Sequence, residues 1–388
     1  MLNLIYSKVL TRPILLTKLI FYEIYKRKKI YSTNFHLKKG IYWLIEAQKV
    51  TRDGGVSSCY SLIYGWRPSY PETSGYIIST LIKYSHLSKN PFYLKIVEEI
   101  ADWECSIQLE NGGFPGGVIS KNKKPIIFNT GQVILGLIGA YKELKKKIYL
   151  DTAIKSGDFL VTNQESNGNW LKYCFNNRSH TYNVRVAWAL LELSEVTGEN
   201  KYYEAAKKNL DWAQTQQNSN YWFHNNSFVS NKFPLLHTIA YAIRGFLESG
   251  ILLKDKNYLN VALNASLKLM QFFTINRYLP ARFDENWQSK DFYVCLTGIA
   301  QLSIIWLKFY EINKEKKFLI NALKLNDYLK MNQVVNIGFK EIEGAIKGSD
   351  PIWGWYNFFG FPNWATKFFC DALILEIELL KKNLKKIN

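Results

Sequence analysis

Six times along this chain an aromatic or apolar run closes on glutamine. The runs are Trp43-Leu-Ile-Glu-Ala-Gln48, Trp103-Glu-Cys-Ser-Ile-Gln108, Phe159-Leu-Val-Thr-Asn-Gln164, Trp212-Ala-Gln-Thr-Gln-Gln217, Leu267-Lys-Leu-Met-Gln271 and Tyr328-Leu-Lys-Met-Asn-Gln333. The glutamines stand at 48, 108, 164, 217, 271 and 333, so the steps are 60, 56, 53, 54 and 62 residues. A regular step of this length in helix-forming sequence marks a stack of supersecondary units. No single unit of that kind buries its apolar face alone.

After each glutamine comes a connection rich in Gly, Asn or aromatics, such as Asn111-Gly-Gly-Phe-Pro-Gly-Gly117 or Asn167-Gly-Asn-Trp170. A second helix is expected to start near Glu72, Asn129, His180, His237, Tyr293 and Asn363. Short hydrophilic turns close these second helices: Ser88-Lys-Asn-Pro91, Lys145-Lys-Lys147, Thr197-Gly-Glu-Asn200, Lys254-Asp-Lys-Asn257 and Asn313-Lys-Glu-Lys316. Gly198 suits a helix stop. First helices such as Tyr202-Tyr-Glu-Ala-Ala-Lys-Lys-Asn-Leu-Asp-Trp-Ala213 are amphipathic and belong outside. Second helices such as Gly131-Gln-Val-Ile-Leu-Gly-Leu-Ile-Gly-Ala140 are apolar with small residues and belong inside. The expected fold is all-α: an (α/α)6 toroid, or six-hairpin barrel, of twelve alternating outer and inner helices. Long connections run outer to inner and short ones inner to outer, so the long loops share one end with the inner-helix heads. That end should hold the site.

The organisation expected is a basic amphipathic N-terminal arm over residues 1–34 and a single toroid domain over 35–388. Lys8, Arg12 and Lys18 break up each apolar run of the arm, so it reads as neither a signal peptide nor a span. With Lys26-Arg27-Lys28-Lys29 following, residues 1–31 either pack on the domain or lie on an anionic membrane. The formal net charge of +18 suits solvated lysine faces or attraction to a polyanion. No compact Arg-rich helix or recognised motif supports nucleic acid. Cys59, Cys105, Cys174, Cys295 and Cys370 form no CxxC pair, and free thiols in a reducing compartment are expected. The cytoplasm is the expected location, with the inner face of the membrane as the alternative for the arm. No metal or cofactor is expected: the five His are scattered, and there is no HExxH and no nucleotide-phosphate loop.

The stretch Lys155-Ser-Gly-Asp-Phe-Leu-Val-Thr-Asn-Gln-Glu-Ser-Asn-Gly-Asn-Trp170 resembles the Gln-Trp repeat of squalene- and terpene-cyclase-like toroids. The chain departs from them in having no Asp-x-Asp-Asp and no Asp-Asp pair, which leaves their acid or diphosphate chemistry without a candidate. From about residue 35 onward it is more similar to toroid proteins encoded in bacterial capsule and exopolysaccharide clusters. The matching stretches are Asp53-Gly-Gly-Val56, Tyr70-Pro-Glu-Thr-Ser-Gly-Tyr76, Phe128-Asn-Thr-Gly-Gln132, Tyr182-Asn-Val-Arg-Val-Ala-Trp188 and Pro362-Asn-Trp-Ala-Thr-Lys367. More distantly, it resembles six-hairpin glycosidases and uronate-specific polysaccharide lyases. The resemblance implies a polysaccharide pathway, with an oligo- or polysaccharide as substrate.

The inner helices carry the candidate site. His180-Thr-Tyr-Asn-Val-Arg-Val-Ala-Trp188 and His237-Thr-Ile-Ala-Tyr-Ala-Ile-Arg-Gly-Phe246 both have a polar head and an apolar tail. At 100° per residue His237, Tyr241, Arg244 and Glu248 fall on one stripe. Asn129 shares a face with Gln132, and Glu72 lies one turn from Tyr76. In a continuous helix Tyr182 and Arg185 would point away from His180 and Asn183; alternatively His180 and Tyr182 belong to the loop. Neutral His, Tyr and Asn beside Arg suit proton abstraction next to a uronate carboxylate. His180 or His237 would be the base, Tyr182 or Tyr241 the acid, and Asn129, Asn183 and Arg185 would surround the carboxylate. The outcome is a lyase or a C5 epimerase.

A second reading is glycoside hydrolysis by two carboxyls drawn from Glu72, Asp284 and Asp350. Trp355 and Tyr356 would stack on sugars beside Asp350, which alternatively fixes the turn before Pro351. Trp66, Tyr70, Gln132, Arg244, Arg282, Asn363 and Lys367 complete the expected substrate contacts. A third reading is a glycan-binding scaffold without catalysis, in which the same polar groups satisfy buried helix ends.

Overall fold

A computed structural model describes residues 13–24, 29–120, 124–229 and 233–384. Its helices are α1 (Pro13–Ile24), α2 (Thr33–Lys49), α3 (Pro71–Ser88), α4 (Phe92–Ile107), α5 (Ile127–Leu144), α6 (Lys147–Thr162) and α7 (Val184–Thr197). They continue with α8 (Asn200–Gln214), α9 (Leu236–Leu253), α10 (Lys256–Asn276), α11 (Leu296–Asn313), α12 (Lys316–Asn332) and α13 (Asn363–Leu384). Short strands lie in the loops: β1 (Cys59–Ser61), β2 (Gly65–Trp66), β3 (Val294–Cys295), β4 (Ser349–Asp350) and β5 (Gly360–Pro362). The chain divides into two compact units. The larger holds Asp53–Gly55 and Ser69–Lys290; the smaller holds Met1–Arg52, Val56–Pro68 and Asp291–Asn388.

The larger unit contains four hairpins, α3–α4, α5–α6, α7–α8 and α9–α10. Their first members α3, α5, α7 and α9 pack side by side. Glycine makes the closest crossing: a Cβ on Gly136 of α5 would come within 2.0 Å of the Gly75 carbonyl oxygen of α3. The outer members are linked by a ladder that sequence reading missed. Tyr149 donates to Asp102 at 2.7 Å, Tyr202 to Asp158 at 2.8 Å, and Tyr258 to Asp211. Each inner helix here ends on a left-handed residue, and three of the four are lysines: Lys89, Lys145, Gly198 and Lys254.

The repeated glutamine has a physical job. The Nε2 of Gln108 donates to the Gly112 carbonyl in its own loop (3.2 Å) and to the Thr152 carbonyl of the next outer helix (2.9 Å). Gln164 does the same to Gly168 and Ala205, at 3.0 and 2.8 Å. Gln217 donates to Tyr221 and Val261, at 3.3 and 3.1 Å. Beside two of these clamps a loop glycine with positive φ presses on the same outer helix. A Cβ on Gly112 would stand 2.3 Å from the Lys155 carbonyl oxygen, and one on Gly168 would stand 2.2 Å from that of Lys208. The fifth glutamine departs from the pattern. Gln271 is exposed inside α10, which runs on to Asn276 with no glycine between them to stop it.

In the smaller unit α11 pairs with α12, and α13 pairs with both α11 and α2. The last inner helix thus packs on the first outer one. The clamp recurs here: Gln333 donates to the His36 carbonyl at 3.0 Å and to Gly344 at 2.8 Å, while its Oε1 lies 2.6 Å from His36 Nδ1. The buried Glu376 accepts from Thr33, Asn326 and Lys330. β1 pairs antiparallel with β2 and β5, and β3 with β4. From α1, Leu15 and Leu19 are buried and Glu23 pairs with buried Lys347. Lys8, Arg12 and Lys26-Arg27-Lys28 of the expected arm lie outside the described residues.

Replacing Gly168 with alanine must open the gap to the Lys208 carbonyl and hold a side chain at φ +90°. The expected loss is about 2–3 kcal/mol of stability. Urea unfolding checks it: the midpoint should fall with an unchanged slope.

Candidate active site

Four inner-helix N-termini of the larger unit carry candidate side chains. Glu72 sits in the first turn of α3, Asn129 in the first turn of α5, Arg185 in that of α7, and His237 in that of α9, with Tyr241 one turn further. In none of the four helices does the N-cap side chain accept from the first turn. The lead-in to α7 resolves the geometry that the sequence left open. His180 is extended, Thr181–Asn183 form a tight turn, and the α-helix begins at Val184. His180 and Tyr182 therefore stack, with centroids 4.6 Å apart.

The cluster is continuous. Tyr70 donates to Glu72 Oε2 at 2.7 Å and is bonded to Asn129. Arg185 Nε donates to Gln132 Oε1 at 2.9 Å, and its guanidinium lies 4.8 Å from the Tyr241 ring centre. Tyr241 acts on the Tyr76 hydroxyl and lies 4.3 Å from the His237 ring. Phe128 packs between Tyr182 (5.2 Å) and Tyr241 (4.9 Å). Phe228, on the loop before α9, touches Tyr182 and His237. Phe128 and Phe228 escaped sequence reading because an apolar ring in an apolar run gives no signal of its own.

Burial sets the electrostatics. It pushes the Glu72 carboxyl up to about 7, although the Tyr70 hydrogen bond and the charge of Arg185 pull the other way. Burial, then Arg185, pulls His237 down to about 3, so its ring is neutral and weakly basic. His180 is lowered too, first by burial, while Phe175's carbonyl lies 2.9 Å from its Nε2. Burial raises the hydroxyls of Tyr70, Tyr76 and Tyr182 well above the usual phenol value. Arg185 is lowered by burial but stays a cation. A half-ionised carboxyl near neutral pH, beside a buried cation and protonated tyrosines, can take a proton from carbon or give one up.

The structure brings Tyr70, Glu72, Asn129, Gln132, Tyr182, Arg185, His237 and Tyr241 together, with His180 behind Tyr182. Other candidates are tied elsewhere. Asn183 Nδ2 lies 3.3 Å from Cys174 Sγ under the loop. Arg244 is paired with Glu248, one turn beyond Tyr241. Asp284 accepts the backbone N–H groups of Asn286 and Gln288 and so shapes its own turn, and Arg282 bridges to Leu235. Six candidates belong to the smaller unit. Trp66 lies on β2; Asp350 pairs with Lys347 and accepts from Tyr328; Trp355 is exposed; and Tyr356 accepts from Trp364. There also, Asn363 donates to the Ser57 carbonyl and Lys367 pairs with Asp371.

No family model matches the chain, and no curated protein matches its sequence. Solved structures do. An unsaturated glucuronyl hydrolase specific for heparin has a TM-score of 0.71 at 15% identity, over 90% of this chain and 98% of its own. A sugar epimerase from a ruminal bacterium also scores 0.71, at 14% identity, over 88% and 97%. A D-mannose isomerase scores 0.69 at 14% identity, over 89% and 97%. These likenesses show the fold: the chain is an (α/α)6 toroid.

The raised Glu72 makes a stability prediction. Its proton is held more tightly folded than unfolded, so its cost is absent below the unfolded value of 4.5 and grows as pH rises through about 7. The full cost above that is about 3 kcal/mol. Glu72→Gln keeps an acceptor for Tyr70 and has no charge to bury. Thermal unfolding should find this variant equal to the parent near pH 4 and more stable by about 3 kcal/mol near pH 8.

Proposed function

We propose that this protein is a carbohydrate-active enzyme that moves a proton to or from a uronate residue of a glycan, with Glu72 as the acid–base group. One observation carries the reading: a carboxyl held near 7 beside a buried arginine, at the meeting of four uncapped inner-helix N-termini. Helix N-termini and Arg185 both favour a bound anion, which suits a sugar carboxylate. Arg185, Gln132 and Asn129 then hold the carboxylate and make the C5 proton more acidic. Glu72 takes that proton and Tyr241 protonates the departing C4 oxygen, leaving a C4–C5 double bond. Return of a proton to the opposite face of C5 gives the epimer instead. His237 serves as a neutral donor, since a ring with a value about 3 is a poor base. The likeness to capsule-cluster toroids supports placing the glycan in surface-polysaccharide synthesis or modification.

A second reading has its own support. Glu72 remains half protonated near neutrality, and one solved neighbour is an unsaturated glucuronyl hydrolase. A 4,5-unsaturated uronate is a vinyl ether. It opens when one acid protonates carbon and water adds to the resulting cation.

One set of assays separates these readings. With uronate polymers, a lyase makes the conjugated double bond and its ultraviolet absorbance rises. With unsaturated oligosaccharides, a hydrolase consumes that bond and the absorbance falls. Deuterium entering C5 with neither change identifies the epimerase. Activity should rise through about pH 7 if Glu72 is the base and fall through it if Glu72 is the acid. Glu72→Gln should cost at least about a hundredfold in kcat. No reaction across the panel, or an active Glu72→Gln, would remove the proposal.

A further inference from the structure

The helix α1 is buried along one stripe, Leu15, Leu19 and Glu23, which are spaced by four and face the smaller unit. The opposite face carries Thr17, Ile20, Phe21 and Ile24, all exposed. Ile20 is 37% exposed, Phe21 61% and Ile24 62%, so three large apolar groups crowd less than two turns of surface helix. A solvated face is ordinarily polar. Charge around it is one-sided. Residues 1–31 hold seven cations, Lys8, Arg12, Lys18, Lys26, Arg27, Lys28 and Lys29, against one carboxylate, Glu23. That carboxylate is turned inward onto buried Lys347, while Lys18 and Lys29 are exposed.

We infer that the exposed face of α1 docks on an anionic lipid surface, with Ile20, Phe21 and Ile24 entering the acyl boundary and the flanking cations on the headgroup phosphates. The competing occupants fit less well. A second copy meeting this face symmetrically would bring the same cations against themselves. An acidic glycan or nucleic acid would neutralise the cations but offer nothing to the three apolar side chains. An anionic bilayer answers both demands. Among the described residues no helix is long and apolar enough to cross a membrane, so contact of this kind is in-plane.

The test is sedimentation of the full chain with vesicles of phosphatidylcholine alone or mixed with phosphatidylglycerol. Binding is expected only with phosphatidylglycerol, weakening as salt is raised. The double variant Phe21→Ser, Ile24→Ser and the quadruple variant with Gln at 26–29 should each weaken binding by about tenfold or more. The serine variant should keep the parent's unfolding temperature within a few degrees, because Phe21 and Ile24 are both exposed. Equal binding to neutral vesicles, no binding to either, or full binding by the serine variant would overturn the inference. So would a parent dimer in solution that the serine variant abolishes, since that would assign the face to a second copy.

Discussion

An amide that donates two hydrogen bonds at once holds this architecture in register. Each clamping glutamine ends an outer helix, so its side chain stands where the chain leaves the helix for a long loop. One N–H closes that loop on a carbonyl, and the other reaches a carbonyl in the middle of the next outer helix. Helical carbonyls keep a second lone pair, so the bond costs the neighbouring helix nothing. Loop and neighbour are thereby fixed together, which sets the angle at which the following inner helix enters. Glycine at 112 and 168 lets the loop backbone come close enough for the clamp to close. Gln333 shows that the same device joins the C-terminal part of the chain to α2, 297 residues away in sequence.

The chain buries carboxyls in more than one way, and Glu104 of α4 is raised by burial with neither oxygen partnered. In the smaller unit the buried carboxylate Glu376 is surrounded by a hydroxyl, an amide and an ammonium. Glu72 in the larger unit has a tyrosine donor and a nearby cation, and burial still wins. His237 is likewise stripped of its usual basicity. A carboxyl kept protonated to neutral pH is a poor contributor to stability and a good carrier of protons. Glu72 differs from Glu104 in lying beside a cation and a tyrosine donor.

Helix count and spacing were legible in the sequence because the glutamine and the turn that follows it recur at a nearly fixed step. The inner-helix starts near Asn129, His237 and Asn363 fell within two residues of the observed ones. The stop at Gly198 was readable from its glycine, whereas the left-handed lysines at 89, 145 and 254 were not, since lysine in that conformation has no local signature. Gln271 misled because the sequence motif is present without the loop glycine that makes it work. At the site, residue types pointed to Tyr182, Arg185, His237 and Tyr241, but the weight given to histidine as base ignored desolvation. A pKa depends on what lies around a group in space, and Glu72, Arg185 and Tyr241 meet only through three different helices.

The loops in front of those helices are fixed to one another. The backbone of Asn225 accepts from Thr181, and His224's carbonyl accepts from the Thr181 hydroxyl, so the segment before α9 is pinned to the segment before α7. On these pinned segments His180 Nδ1, Asn183 Oδ1 and both amide atoms of Asn226 are buried with no hydrogen-bond partner. Unsatisfied polar atoms cost about 1–3 kcal/mol each. The same cost is met elsewhere among the described residues, at Ser249 in the tail of α9 and at Glu104 in α4. Tyr182 and Phe228 pack against each other beside them, with ring centres 5.5 Å apart. The clamps of Gln164 and Gln217 lie behind these two segments and tie each to the next outer helix.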